Sequence, residues 1–167
     1  MKKYALIIDE KNKLCNVGLG TNEKFYQSQG FTLQDVEQAY NGQWYIAGFA
    51  PKRPIDELKK LKRTEINTAR DTEEQGGFEY LGKFFDSDSI SCLRISCASQ
   101  SMSLAPEETT IIWTCQDNST IELNKEQLAG LVTALANHSN KCHQKANSLK
   151  TAIDAAISEE ELSQIHW

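Results

Sequence analysis

The sequence has no apolar run near the roughly 20 residues that a helix needs to cross a bilayer, so no membrane partner is expected. The nearest approach, Tyr4 to Ile8 behind Lys2 and Lys3, stops at Asp9. No small-residue cleavage site follows, so it does not read as a signal peptide. The chain is expected to stay in the compartment where it is made. A basic surplus is also missing, since Lys+Arg 18 stand against Asp+Glu 23 for a net charge of -5. Binding along a phosphate backbone normally needs the opposite balance, and nucleic acid is not an expected partner. The five cysteines, Cys15, Cys92, Cys97, Cys115 and Cys142, are odd in number and contain no C-x-x-C pair. They read as free thiols in a reducing compartment, most of them acting as small buried hydrophobes. Proline is scarce, three in 167 residues, and two of the three fall in Ala50-Pro51-Lys52-Arg53-Pro54.

Complete chemical motifs are lacking as well. Gly18-Leu19-Gly20-Thr21-Asn22-Glu23 follows a strand pattern, but Glu23 stands where a dinucleotide fingerprint needs its third glycine. No Gly-Lys-Ser/Thr phosphate loop occurs, so the segment reads as a glycine-rich bend and no cofactor is expected. His138, Cys142 and His143 form the one cluster of metal-ligating residue types. Positions 138 and 142 share a helix face, and Cys115 is a conceivable fourth member. A structural zinc site wants four ligands, usually as two close pairs, and one pair is visible. A core histidine beside a buried thiol accounts for the same residues, so no metal is expected. None of the cysteines sits in a glycine-framed nucleophile turn. Asp86 and Asp88 with Glu79 lack the rest of a calcium loop and read as helix-start residues. No catalytic residue is expected, and the chain does not read as an enzyme.

What is present is an α+β pattern in two parts. Residues 1–50 form a small β-rich module: a hairpin from Tyr4–Ile8 and Leu14–Val17, a short helix over 33–40 capped by Thr32, the Asn41-Gly42 turn, and a strand over 44–49. Residues 51–56 are a proline-containing linker. Residues 57–167 form an α+β domain with two β-hairpins and a long C-terminal helix. Its first helix starts at about Ile55 and runs to about Asp71. Phe78–Phe85 form an aromatic hairpin turning at Leu81-Gly82. Residues 89–104 read as a helix, although Ile90, Cys92, Arg94 and Ser96 also permit a strand. A second hairpin pairs 109–115 with 119–123. Asn124 and Gln127 then form a capping box opening a helix to about Ile157, roughly 50 Å at 1.5 Å per residue. A short tail helix restarts at Ser158. Along the long helix Leu128, Leu135, Cys142, Leu149 and Ala156 recur every seven residues. So narrow a stripe suits an α-hairpin partner or a homo-oligomer built through that helix.

The aromatic residues are the remaining signal. Trp44 and Tyr45 are adjacent on a strand, so one of them is expected to face outward as an interface anchor, and Trp167 is a third partner-binding candidate.

Two stretches carry a family resemblance. Cys15-Asn16-Val17-Gly18-Leu19-Gly20-Thr21-Asn22 and Asp35-Val36-Glu37-Gln38-Ala39-Tyr40-Asn41-Gly42-Gln43-Trp44-Tyr45 lie within residues 14–51. That region resembles the opening module of small phage and prophage tail proteins. Residues from about 57 to 157 resemble the uncharacterised domain often found behind it. Phe78-Glu79-Tyr80-Leu81-Gly82-Lys83-Phe84-Phe85-Asp86-Ser87-Asp88, Trp113 with Asp117-Asn118, and the helix containing His138 carry this second part. The resemblance implies a tail-fibre or tail-fibre-assembly protein without catalytic residues, whose partner is a tail fibre or baseplate protein. It implies a place in the virion tail, or in the host cytoplasm during assembly. Its expected role is structural or accessory. The alternatives are an assembly chaperone absent from the mature virion and a small metal-binding or thiol-dependent regulatory protein.

Overall fold

A computed structural model describes all 167 residues. The chain is α+β and divides into two compact units, Met1–Pro54 and Ile55–Trp167.

In the first unit, β1 (Lys2–Asp9), β2 (Leu14–Val17), β3 (Thr32–Gln38) and β4 (Trp44–Ile46) close into a four-stranded antiparallel barrel in the order β1-β2-β4-β3. Closure leaves no strand edge unpaired. The interior is small: Ala5, Cys15 and Val36 are buried, with Val17, Trp44 and Ile46 packed against them. Residues 32–38 are a strand, not the helix expected from Val36, Ala39 and Tyr40. β3 bonds on both sides, to β1 through Lys2↔Asp35 and to β4 through Val36↔Ile46, and this pairing overrides a weak helical spacing. The helix of this unit is instead α1 (Glu23–Ser28), capped by the Asn22 side chain on the Phe25 N–H. The last strand also ends early, at Ile46, because Gly48 turns the chain with φ +89.

The second unit is built on α4 (Lys125–Ala155), preceded by α2 (Ile55–Glu74), β5 (Phe78–Tyr80), β6 (Lys83–Phe85), α3 (Ser89–Leu104), β7 (Thr110–Thr114) and β8 (Thr120–Asn124), and followed by α5 (Glu159–Ser163). Ile55 and Asp56 belong to α2 and not to a linker, since Pro54 pre-sets the backbone for a helix beginning directly after it. The β5–β6 turn has positive φ at Leu81 and Gly82, a two-residue loop that suits the right-handed twist of a hairpin. The Asn124–Gln127 capping box opens α4.

Two apolar clusters lie in series along α4. The first gathers Phe78, Phe85, Ile95, Met102, Leu123 and Leu128 from the hairpins, α3 and the start of α4. The second gathers Ile66, Ala146, Ile153 and Leu162 from α2, the far half of α4 and α5. The seven-residue stripe is therefore covered by hairpins and helices of its own chain. Lys59 and Arg63 reach Asp154 at one end while Glu74 meets Ser139 at the other, so α2 and α4 run antiparallel.

Gly130 in α4 has a steric reason. A Cβ there would lie 2.0 Å from the Tyr80 hydroxyl oxygen. Gly130→Ala should therefore destabilise the protein in urea titration, although alanine favours a helix interior by about 1 kcal/mol. In a Tyr80→Ala background the sign should reverse, and the same substitution should stabilise.

Candidate functional site

The polar residues singled out in the sequence meet where α2 ends against the middle of α4. α2 stops at Gly76-Gly77, with φ +100 at Gly77, and leaves its last carbonyls without helical partners. His138 supplies one substitute. Its Nε2–H points at the carbonyl oxygens of Glu73 and Glu74, at 3.1 and 3.2 Å, while its ring stacks on Phe78 with centroids 5.9 Å apart. Ser87, buried, donates to the Glu74 carbonyl and accepts the Gly77 N–H at 2.9 Å. A neighbouring helix thus caps the negative end of the α2 dipole.

The side chains of the same turn form ion pairs and hydrogen bonds. The Glu74 carboxylate accepts from Ser139 and lies 3.3 Å from His143 Nε2. Glu73 accepts from the Trp167 indole and faces Lys145 Nζ at 3.4 Å. Lys145 also sits 4.3 Å from the centre of the Trp167 ring.

The metal candidates fall out differently from a ligand set. His138 turns to backbone carbonyls, Cys142 is buried, and His143 faces Glu74, with no group of three or more His, Cys, Asp or Glu disposed to hold an ion. Burial pushes the Cys142 thiol above its ordinary pKa, and the Glu73 and Glu74 carboxylates push further. Cys92 is raised in the same way, by burial and then by Asp88 and Glu74, and its thiol donates to the Ser87 carbonyl at 3.3 Å. Both shifts disfavour the thiolate, the opposite of what nucleophilic or metal-binding chemistry requires. A cavity of about 630 Å³ beside Cys92 is lined also by Glu74, Val132, Leu135 and Ser139. Of the two nearby aspartates, Asp88 caps α3 through Ile90 N–H and Ser91 N–H. Asp86 has no capping role there.

The partner-binding candidates are largely committed to packing. Tyr45 is buried, with its hydroxyl 3.1 Å from Gln43 Oε1. Trp44 packs on the barrel interior beneath Lys3 Nζ, 4.4 Å from its ring centre. The two do face opposite ways, Trp44 inward opposite Gln38 and Tyr45 outward opposite Glu37, but Tyr45 is buried on the outer side all the same and neither ring is left free. Trp167 is packed against the second cluster of its own unit.

What the sequence reading missed is an aromatic group on the outside of the barrel. Tyr26 of α1 stacks on Tyr4 at 5.8 Å and meets Phe25 and Phe31 edge-on, each at 5.4 Å. The glycine-rich bend serves this ring. A Cβ at Gly18 would overlap Tyr26 at 2.6 Å, and the Gly20 N–H donates to the Tyr26 hydroxyl at 2.8 Å. Leu19, between them, is 85% exposed and Phe25 is 55% exposed. The signal available in the sequence was Gly18-x-Gly20 followed by Phe25-Tyr26.

A family model described as "Domain of unknown function (DUF4376)" matches residues 57–165, more than half of the chain. No curated protein and no solved structure matches the chain.

Two outcomes are expected of the α2–α4 junction. The Trp167 indole, ahead of Lys145, holds the Glu73 carboxyl below the usual glutamate value despite the opposing effect of burial. The folded state thus binds that proton less readily than the unfolded chain. The stability gained is complete above the ordinary glutamate value and is lost as pH falls through the lowered one. In thermal melts, the gap between wild type and Trp167→Phe should hold steady near neutral pH and narrow on acidification through the carboxylate range. Separately, Cys142→Ala should cost on the order of 1 kcal/mol in packing. Treatment of the wild-type protein with a chelator should leave its melting temperature unchanged.

Proposed function

The chain belongs to the DUF4376 family, a domain of unknown function, and from that premise we propose that it is a non-enzymatic, tail-associated accessory protein that binds a phage tail-fibre or baseplate partner. One observation carries the binding half of this reading. The first unit places Tyr4, Phe25, Tyr26 and Phe31 together on the outside of its barrel, with Leu19 projecting beside them. Large aromatic residues lose little conformational entropy on docking and are enriched at the centres of interfaces. Leu19 and Phe25 lie outside the barrel interior and remain mostly exposed, Phe25 touching the group through the edge of Tyr26. The tail half of the reading is supported by the resemblance of residues 14–51 and 57–157 to small tail proteins.

The geometry favours a rigid contact surface over a moving one. Tyr26 is held on two sides by neighbouring rings, by Gly18 beneath it and by the Gly20 N–H. A surface already ordered loses less entropy on binding.

Quantitative mass spectrometry on purified particles, alongside capture of tagged chain from lysate, tests the reading. A fixed copy number in particles is expected, with a fibre or baseplate protein captured from lysate. Phe25→Glu and Leu19→Glu should reduce that capture at least tenfold with the melting temperature unchanged. Capture of the fibre from lysate with absence from particles would instead make the chain an assembly chaperone. Absence from both would sink the tail reading.

A further inference from the structure

α3 has an unusual outer side. Of its sixteen residues, Arg94 alone is charged. Ile95 and Met102 face the core, and Ala98 packs beside them. On the solvent side Ile90 is 70%, Leu93 63% and Leu104 90% exposed, and Cys97 is exposed between them. Positions 90, 93, 97, 100 and 104 step by three and four residues in turn, the spacing of a helix-pairing seam. α4 carries a seven-residue repeat as well, but its own chain covers that repeat. The α3 seam is open.

The order of residues along this seam indicates its occupant. Cys97 lies midway, seven residues from Ile90 and seven from Leu104. An antiparallel copy of the helix centred there sets Ile90 against Leu104 and Cys97 against Cys97. It also sets bulky Leu93 against small Ser101, and position 94, whose guanidinium lies over the Trp113 ring of its own chain, against the uncharged Gln100. A parallel copy would instead bring Arg94 against Arg94. Self-complementarity of one patch under a twofold rotation is what an isologous dimer requires. Charge points the same way. The chain carries a net charge of -5, and two copies repel through most surfaces, whereas this face holds no carboxylate.

We propose that α3 is the self-association surface of this protein, pairing antiparallel with α3 of a second copy about a twofold axis at Cys97. This rests on the reading of the chain as a binding protein, but it uses a face distinct from the aromatic group of the first unit. A seam this long spans about 22 Å, which is short for an interface that must bury about 800 Å² per partner to be stable. The dimer is therefore of the dissociable kind, formed at high local concentration.

Sedimentation velocity of the full chain under reducing conditions, from about 1 μM to about 500 μM, reads the dissociation directly. Conversion from monomer to dimer across that range is expected. Leu93→Glu should raise the dissociation constant at least tenfold while far-ultraviolet dichroism and melting temperature stay unchanged. If Leu93→Glu lowers the melting temperature, Ile90→Glu takes its place. A short bismaleimide should cross-link wild-type chains, and neither Cys97→Ser nor Leu93→Glu should yield that product. In the Cys97→Ser background, Ile90→Cys should cross-link to Leu104→Cys in a mixture of the two and not to itself. A monomer at every concentration, a dimer indifferent to both glutamate variants, or Ile90→Cys linking preferentially to itself would overturn the proposal. Because purified chain alone is used, a negative result here leaves the tail-partner experiment unaffected, and the reverse holds equally.

Discussion

The second unit depends on one narrow stripe of α4. At 3.6 residues per turn, Leu128, Leu131, Leu135, Cys142, Ala146, Leu149 and Ile153 fall within about 60° of the helix circumference. All seven are buried or half-buried. That stripe is covered by different elements along its length: the two hairpins and α3 near its start, α2 and α5 towards its end. Neither cluster could stand as a core by itself. A rigid helix of 31 residues joins them into one packed line, and every other element of the unit is positioned by where it meets that line. The His138 contact follows from this. It sits at the flank of the stripe, where α2 ends, and closes a helix terminus that glycine leaves open.

The polar groups near Cys142 then have a structural explanation. Glu73, Glu74, His138, His143, Lys145 and Trp167 satisfy one another or terminate α2. Ligating types at helical spacing suggested a metal in the sequence. In the folded chain each of those histidines already has an oxygen partner on α2, and burial with two nearby carboxylates disfavours the Cys142 thiolate. Chemistry that requires an unpaired base or an activated thiol has little to draw on at this junction.

Much of the second unit could be read from residues because its signals are local. Leu81-Gly82 and Asp117-Asn118 mark turns, Asp88 and Asn124 mark helix starts, and Gly76-Gly77 marks a helix end, each through backbone chemistry of adjacent residues. The first unit was less legible because its determinants are non-local. Only Val36 is apolar among the inward positions Gln34, Val36 and Gln38, so β3 shows no alternation. It becomes a strand because β1 and β4 both pair with it. The six-residue α1 is too short for any periodicity. The aromatic group joins β1, α1 and the loop before β3, and no spacing in the sequence foretells that these segments meet. Trp44 and Tyr45 were misjudged for the same reason. Adjacent strand residues face opposite ways, as these two do, but the outward one, Tyr45, is covered in the folded chain and the inward one, Trp44, closes the barrel interior.

The two surface helices of the second unit show which exposed residues the fold itself requires. α2 and α3 are of comparable length, and each buries one side against the same spine. α2 turns Asp56, Glu57, Lys60, Glu65 and Asp71 to solvent, with Leu61 the one large aliphatic among them. α3 turns out Ile90, Leu93 and Leu104. Both solutions serve folding equally, because an exposed side chain adds little to the stability of the unit that carries it. A charged outer face also favours solubility, and a chain a quarter of whose residues are charged had no shortage of such side chains. The aliphatic face of α3 thus answers to something other than folding or solubility. Its pairing-seam spacing and its symmetry about Cys97 match the geometry of the same helix turned end for end.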